Sequence, residues 1–142
     1  MKISEIMNQS CSVASTNETI ETVARRMVDE DLGFLPVSQQ DKLVGSITDR
    51  DIVSRVVAEG RGLSCTVADI MTQDVKYCFE EDDVEQVMAN MANNGVRRMP
   101  VVNSEKRLVG VVSVMDAASA GRDQAASHAL GALGAEKPSQ AA

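Results

Sequence analysis

Aromatic side chains are nearly absent from this 142-residue sequence: one Tyr, two Phe and no Trp, 2% of the residues. A core has to be assembled from Val, Ile, Leu, Met and Ala, and platforms for stacking single-stranded bases are lacking. Histidine occurs once, as His128, which argues against a zinc site. Cys11, Cys65 and Cys78 are odd in number, widely spaced and form no Cys-x-x-Cys, so neither a disulfide framework nor a thiolate metal site is expected. No apolar run approaches the roughly 20 residues of a membrane span, and charge interrupts Met1-Lys2-Ile3-Ser4-Glu5-Ile6-Met7 where a secretory leader is apolar. A cytoplasmic location follows as the expectation. Lys and Arg number 14 against 21 Asp and Glu, a formal net charge of −7; such a balance repels phosphate backbones and anionic lipid, so no nucleic-acid or membrane partner is expected. The Gly-x-x-x-x-Gly-Lys-Ser/Thr, Gly-x-Gly-x-x-Gly, Gly-x-Ser-x-Gly and His-Glu-x-x-His motifs are all missing. No catalytic residue is assigned.

What is present is a repeat. With 44% hydrophobic and 25% charged residues the chain has the composition of an ordinary globular protein, and it is self-similar. Ser4-Glu5-Ile6-Met7-Asn8-Gln9 is echoed by Ala68-Asp69-Ile70-Met71-Thr72-Gln73, an offset of 64 residues that also relates Glu21 to Glu85, Met27 to Met91 and Pro36-Val37 to Pro100-Val101. From Leu43-Val44-Gly45 and Leu108-Val109-Gly110 onward the offset is 65. The extra residue falls between Asn103 and Arg107, which marks a hairpin loop there.

Within each repeat the hydrophobic period changes in the same order. Ile20, Val23, Ala24, Met27 and Val28 form a helical stripe, reproduced by Val84, Val87, Met88, Met91 and Ala92. Asp82 followed by Glu85 suggests a capping box, and Gly33 and Gly95 stand near the helix ends. Phe34 to Val37 with Leu43 to Thr48, and Met99 to Val102 with Leu108 to Ser113, are β-rich runs joined by polar turns. A further helix follows each pair, with Ile52, Val53, Val56 and Val57 on its expected buried side in the first repeat, and Ser12 to Ser15 and Lys76 to Phe79 add one short strand each. The expected fold is mixed α/β (α+β): two β-α-β-β-α units, packed sheet to sheet about a pseudo-twofold axis because a unit of this size has too much surface to stand alone. The boundaries are 1–60 for the first repeat, a linker at 61–66 in the Gly- and Ser-bearing stretch after Gly60, 67–121 for the second repeat, and a flexible or weakly helical tail at 122–142. The eight Met residues are read as core filling.

Residues able to bind a ligand sit at equivalent places. Thr48-Asp49-Arg50-Asp51 and Ser113-Val114-Met115-Asp116 each end a strand with a hydroxyl and place Asp three positions on. At a helix start, unpaired N–H groups suit a phosphate and the carboxylate can accept from ribose hydroxyls. The same spacing is also a capping box that needs no ligand, and the two readings use the same atoms. Arg97-Arg98, before Met99-Pro100, could clamp a phosphate or be a solvated pair, and Arg50 sits where the helix dipole disfavours a cation unless an anion or Asp49 compensates.

The Ile-Met start, the amphipathic helix, Leu-Pro-Val and Leu-Val-Gly-Ser-Ile-Thr-Asp-Arg-Asp-Ile-Val together resemble the cystathionine β-synthase (CBS) domain, in tandem over residues 3 to about 120. The resemblance implies a module with two clefts that commonly bind AMP, ADP, ATP, NAD or S-adenosylmethionine. It implies that Thr48 and Ser113 contact phosphate, that Asp51 and Asp116 hold ribose hydroxyls, and that Arg98 occupies a phosphate-binding position, with Arg50 and Arg97 beside these groups. Such modules usually regulate larger proteins, which makes this chain an expected stand-alone, non-enzymatic sensor, a homodimer acting on an effector protein of unknown identity through ligand-dependent repeat orientation. An adenine nucleotide is its regulatory ligand and no cofactor is tightly bound. The competing readings are an interaction scaffold with vestigial clefts and an enzyme using Cys11 or Cys78.

Overall fold

The computed structural model describes residues 1–121 and 123–134. Two compact units are present, Ser12–Val75 and a second made of Met1–Cys11 together with the described residues between Lys76 and Gly134. The units do not coincide with the sequence repeats, because each repeat's opening segment is built into the other unit.

In the Ser12–Val75 unit, β1 (Ala14–Ser15), β2 (Phe34–Gln39) and β3 (Lys42–Thr48) form a sheet of order β1-β2-β3, with β1 parallel and β3 antiparallel to β2. The β2–β3 turn has two residues, Gln40 and Asp41, both at positive φ, as a tight hairpin with the strands' own twist requires. Helix α1 (Ile20–Asp29) is capped by Thr19 and buries Ile20, Val23 and Met27. Its Val28 is exposed, contrary to the helical-stripe expectation, and so are Val53 and Val57. For Val53 and Val57 the reason lies in their own helix: α2 (Asp49–Ile52) continues as a π-helical turn over Val53–Val57. Only Val56 of that turn enters the core with Leu35, Val37 and Ile47. Chain reversal after α1 is made by Asp31, at φ 53, and not by Gly33, where a β-carbon would stand 3.1 Å from an Asp49 carboxylate oxygen.

The other unit repeats the plan with β4 (Cys78–Phe79), α4 (Val84–Asn94), β5 (Arg98–Val102), β6 (Leu108–Ser113) and α5 (Val114–Ser119), in sheet order β4-β5-β6. Here all five expected stripe residues, Val84, Val87, Met88, Met91 and Ala92, are buried. The helix cap is Asp83, whose carboxylate accepts from the Glu85 and Gln86 N–H groups. Asp82, the expected cap, accepts from the Phe79 N–H at 2.9 Å. Gly95 ends α4 in the left-handed conformation as glycine does best. The stretch read as a tail contains α6 (Asp123–Gly134), and its Ala126, Ala129 and Leu133 join the core. Residues 135–142 of that stretch lie outside the described residues.

The exchanged segments dock by the same bonds in both units. Met71-Thr72, following α3 (Val67–Ile70), crosses β3, with Ser46 N–H donating to the Thr72 carbonyl and Thr72 N–H to the Ser46 carbonyl, both at 2.9 Å. Asn8, following the 3-10 turn Ile3–Glu5, does the same on Val111 of β6, at 2.8 and 3.1 Å. Glycine is required beneath each crossing. A β-carbon on Gly45 would lie 2.6 Å from the Thr72 carbonyl oxygen, and one on Gly110 would lie 2.8 Å from that of Asn8.

Cys78 is buried, and burial first, then the negative charge of Asp82, pushes its thiol up to about 12. Burial also raises Cys11. Since the thiolate is the reactive form, both shifts oppose cysteine nucleophilic chemistry. In the native protein at pH 8 a thiol reagent is expected to label Cys78 no faster than the chain unfolds; labelling at the rate of an unfolded peptide would contradict this placement.

Candidate functional site

Each unit presents one candidate group at the end of its last strand, where β3 runs into α2 and β6 into α5. Thr48 ends β3 opposite Phe34, and Ser113 ends β6 opposite Arg98. Thr48 Oγ1 accepts from the Asp51 N–H at 3.1 Å while Thr48 N–H donates to Asp51 Oδ2 at 2.9 Å. Ser113 and Asp116 make the same reciprocal pair, at 3.1 and 2.8 Å. The capping box is therefore formed in both units.

Capping leaves ligand-binding capacity in the same groups. A hydroxyl that accepts from an amide still has its own proton to donate, and a carboxylate that spends Oδ2 on the cap retains Oδ1. Asp51 and Asp116 are part-buried, which holds that oxygen in place. Thr48, Arg50 and Asp51 come together in one unit, and Arg97, Arg98, Ser113 and Asp116 in the other.

The two groups differ in charge. Arg97 and Arg98 are exposed, and among the described residues their guanidinium groups have no ion pair. The Arg97 carbonyl accepts from Val114 N–H at 3.1 Å, which ties the Arg pair to the helix start. In the equivalent place of the other unit the Gly33 carbonyl accepts from Asp49 N–H at 3.1 Å. There Gly33 and Phe34 stand where the other unit has Arg97 and Arg98, and the Asp49 carboxylate, bonded to Arg50 N–H at 2.8 Å, lies beside Gly33. The sequence singles out Asp49 as the compensating charge for Arg50, but not the part of Arg55. Arg55 reaches the Ile70 carbonyl at 2.8 Å and stands 3.9 Å from Asp51 Oδ1; its spacing four residues beyond Asp51 is the signal that could have pointed to it.

The CBS domain family model matches residues 3–58 and again 67–123. The chain belongs to the CBS domain family. Hypoxic response protein 1 of Mycobacterium tuberculosis is 37% identical over 80% of this chain and 80% of its own length. The crystal structure of a Hypoxic Response Protein I with two coordinated zinc ions superposes with a TM-score of 0.77 at 30% identity, covering 84% of this chain and 98% of that one. The CBS domain pair of protein MJ0100, in complex with 5-methylthioadenosine and S-adenosyl-L-methionine, gives a TM-score of 0.74 at 27% identity, over 85% of this chain and 99% of that one. A homoserine O-acetyltransferase of Methanosarcina acetivorans is 35% identical over 78% of this chain, a match that spans 20% of that enzyme. Among the described residues of the CBS pair, no helix is long and apolar enough to cross a membrane, and no three His, Cys, Asp or Glu side chains cluster as metal ligands.

Proposed function

We propose that this CBS pair is a non-enzymatic regulatory module that binds adenosine-containing small molecules, with Thr48, Arg50 and Asp51 serving one site and Arg97, Arg98, Ser113 and Asp116 the other. The observation that carries the reading is the doubled hydroxyl and carboxylate at the strand ends, each Asp holding one oxygen in the cap and one outside it. MJ0100, whose CBS pair is similar, holds two adenosine derivatives. The Ser113 group, with two guanidinium groups that have no ion pair among the described residues, suits a phosphate-bearing ligand. The Thr48 group, with Gly33 and Phe34 in place of the two arginines and the Asp49 carboxylate beside Gly33, suits an uncharged or cationic adenosine derivative. Occupancy biases the arrangement of the two repeats, and an effector protein in the cytoplasm reads the change. The working form is a homodimer.

The test is thermal unfolding of the full chain against AMP, ADP, ATP, NAD and S-adenosylmethionine, with guanine nucleotides as controls. A ligand at 100 times its dissociation constant adds about 2.7 kcal/mol, which raises the melting temperature by several degrees. Absence of any shift at millimolar adenosine compounds overturns the sensor reading in favour of a scaffold whose Thr48 and Ser113 act only as caps.

A further inference from the structure

Asp51 and the segment that crosses β3 share one neighbour, Arg55. Its guanidinium donates to the Ile70 carbonyl at 2.8 Å through one nitrogen and stands 3.9 Å from Asp51 Oδ1 with another. Oδ1 is the oxygen that the capping bond from Thr48 N–H leaves over. The Asp51 side chain is 15% exposed and that of Arg55 46%, so the carboxylate is the better held of the two. Asp four residues ahead of Arg is the favourable order for such a pair on a helix.

Ile70 is the last residue of α3, where a guanidinium meets the negative end of the helix. Val67 and Ile70 anchor α3 in the core of this unit, and Met71-Thr72 follow at once, with Thr72 held to Ser46 by two bonds of 2.9 Å. One guanidinium thus spans the space between the candidate ligand site and the crossing that Gly45 admits. The helix around it is specialised too. Val53–Val57 is a π-helical turn, with Ala58 N–H donating to the Val53 carbonyl at 2.9 Å, while α5 is α-helical over Val114–Ser119. Such turns occur frequently at functional sites. With the repeat offset of 65, Ala120 takes the place of Arg55 in the other unit, and its methyl group makes neither contact.

We propose that Arg55 is a positioning residue of the Thr48 site, orienting Asp51 Oδ1 toward a ligand hydroxyl, and that it transmits occupancy of this site to the 70–72 crossing. The inference rests on the reading of the Thr48 group as a ligand site. A hydroxyl that donates to Oδ1 fixes the carboxylate, the carboxylate fixes the guanidinium, and the guanidinium holds the end of α3; by reciprocity a docked crossing favours the ligand. The planar fork of arginine serves both partners at once, which the single ammonium of lysine does not. The Ser113 site, with Ala120, lacks this path to the Asn8 crossing.

The test uses the full chain and two probes, uncharged 5-methylthioadenosine and AMP, with calorimetry for affinity and amide hydrogen exchange by nuclear magnetic resonance for the crossings. Binding of 5-methylthioadenosine that disappears in Asp51→Ala assigns that probe to the Thr48 site. Arg55→Gln, at a half-exposed position and verified as folded by circular dichroism, is expected to weaken it roughly two- to fivefold, the range for a partly exposed charge pair, and to leave AMP unchanged. At saturation the probe is expected to slow exchange of Thr72 N–H severalfold relative to the other amides of its unit. That slowing is lost in Arg55→Gln and in Arg55→Lys, whereas a merely structural arginine would alter the exchange equally with and without probe. Slowing retained in Arg55→Gln overturns the transmission, and so does an equal slowing of Asn8 N–H by AMP. Unchanged affinity in Arg55→Gln overturns the positioning role alone. Absence of any binding that depends on Asp51 overturns the Thr48 site and this inference together.

Discussion

Gly45→Ala and Gly110→Ala are each expected to destabilise the protein by about 2–3 kcal/mol, the range for forcing extra atoms into a packed site. One methyl group suffices because the obstacle is backbone. The Thr72 carbonyl oxygen at 2.6 Å and the Asn8 carbonyl oxygen at 2.8 Å cannot turn away without breaking the bonds that hold each crossing segment to its strand. Gly45, with the closer approach, is expected to suffer more. At Gly131 in α6 a β-carbon would meet nothing within 4 Å, so Gly131→Ala is expected to be neutral or to stabilise by about 0.5–1 kcal/mol through helix propensity. Denaturant midpoints of the three variants decide the matter; an unchanged midpoint in Gly45→Ala would show that the crossing is not tight.

Asp116→Ala is expected to weaken a phosphate-bearing adenosine ligand by roughly tenfold to a hundredfold, the equivalent of one or two hydrogen bonds to a charged group. Asp51→Ala is expected to do the same to a ligand of the other site and to leave the first unaffected. Each substitution also removes half of a capping box, which costs about 1 kcal/mol of stability in the absence of ligand. The ligand effect is therefore read as dissociation constants by calorimetry and not as melting temperature alone. Thr48→Ser and Ser113→Thr retain both the accepting oxygen and the donating proton, and are expected to bind as the parent does. Equal ligand affinity in Asp51→Ala, Asp116→Ala and the parent would leave these carboxylates as caps and nothing more.

How far the sequence could be read depended on whether an element's partners are near in the chain. The capping boxes at Thr48 and Ser113 were legible because their bonds span three residues. The stripe of α4 was legible in full, but the same spacing failed at Val28, since covering that face requires a third helix and α6 serves only one unit. The last helix was weakly marked because Ala126 and Ala129 make a shallow stripe, which becomes a core only against α4 and α5. Asp83 displaced Asp82 as the cap because Asp82 bonds back to Phe79 at the end of β4.

By itself the sequence determined the repeat, the order of strands and helices within it, the family, and the hydroxyl and carboxylate that end each central hairpin, all of which are written in local spacing. The tertiary structure alone decided which repeat receives which opening segment. Asn8 bonds to Val111 and Thr72 to Ser46 through backbone groups that every residue carries, so the side chains of two nearly equivalent segments do not name their strand. It also decided which charges stand beside each capping box, because the antiparallel register brings Arg98 opposite Ser113 and Phe34 opposite Thr48. Register is a property of paired strands, and neither strand contains it alone.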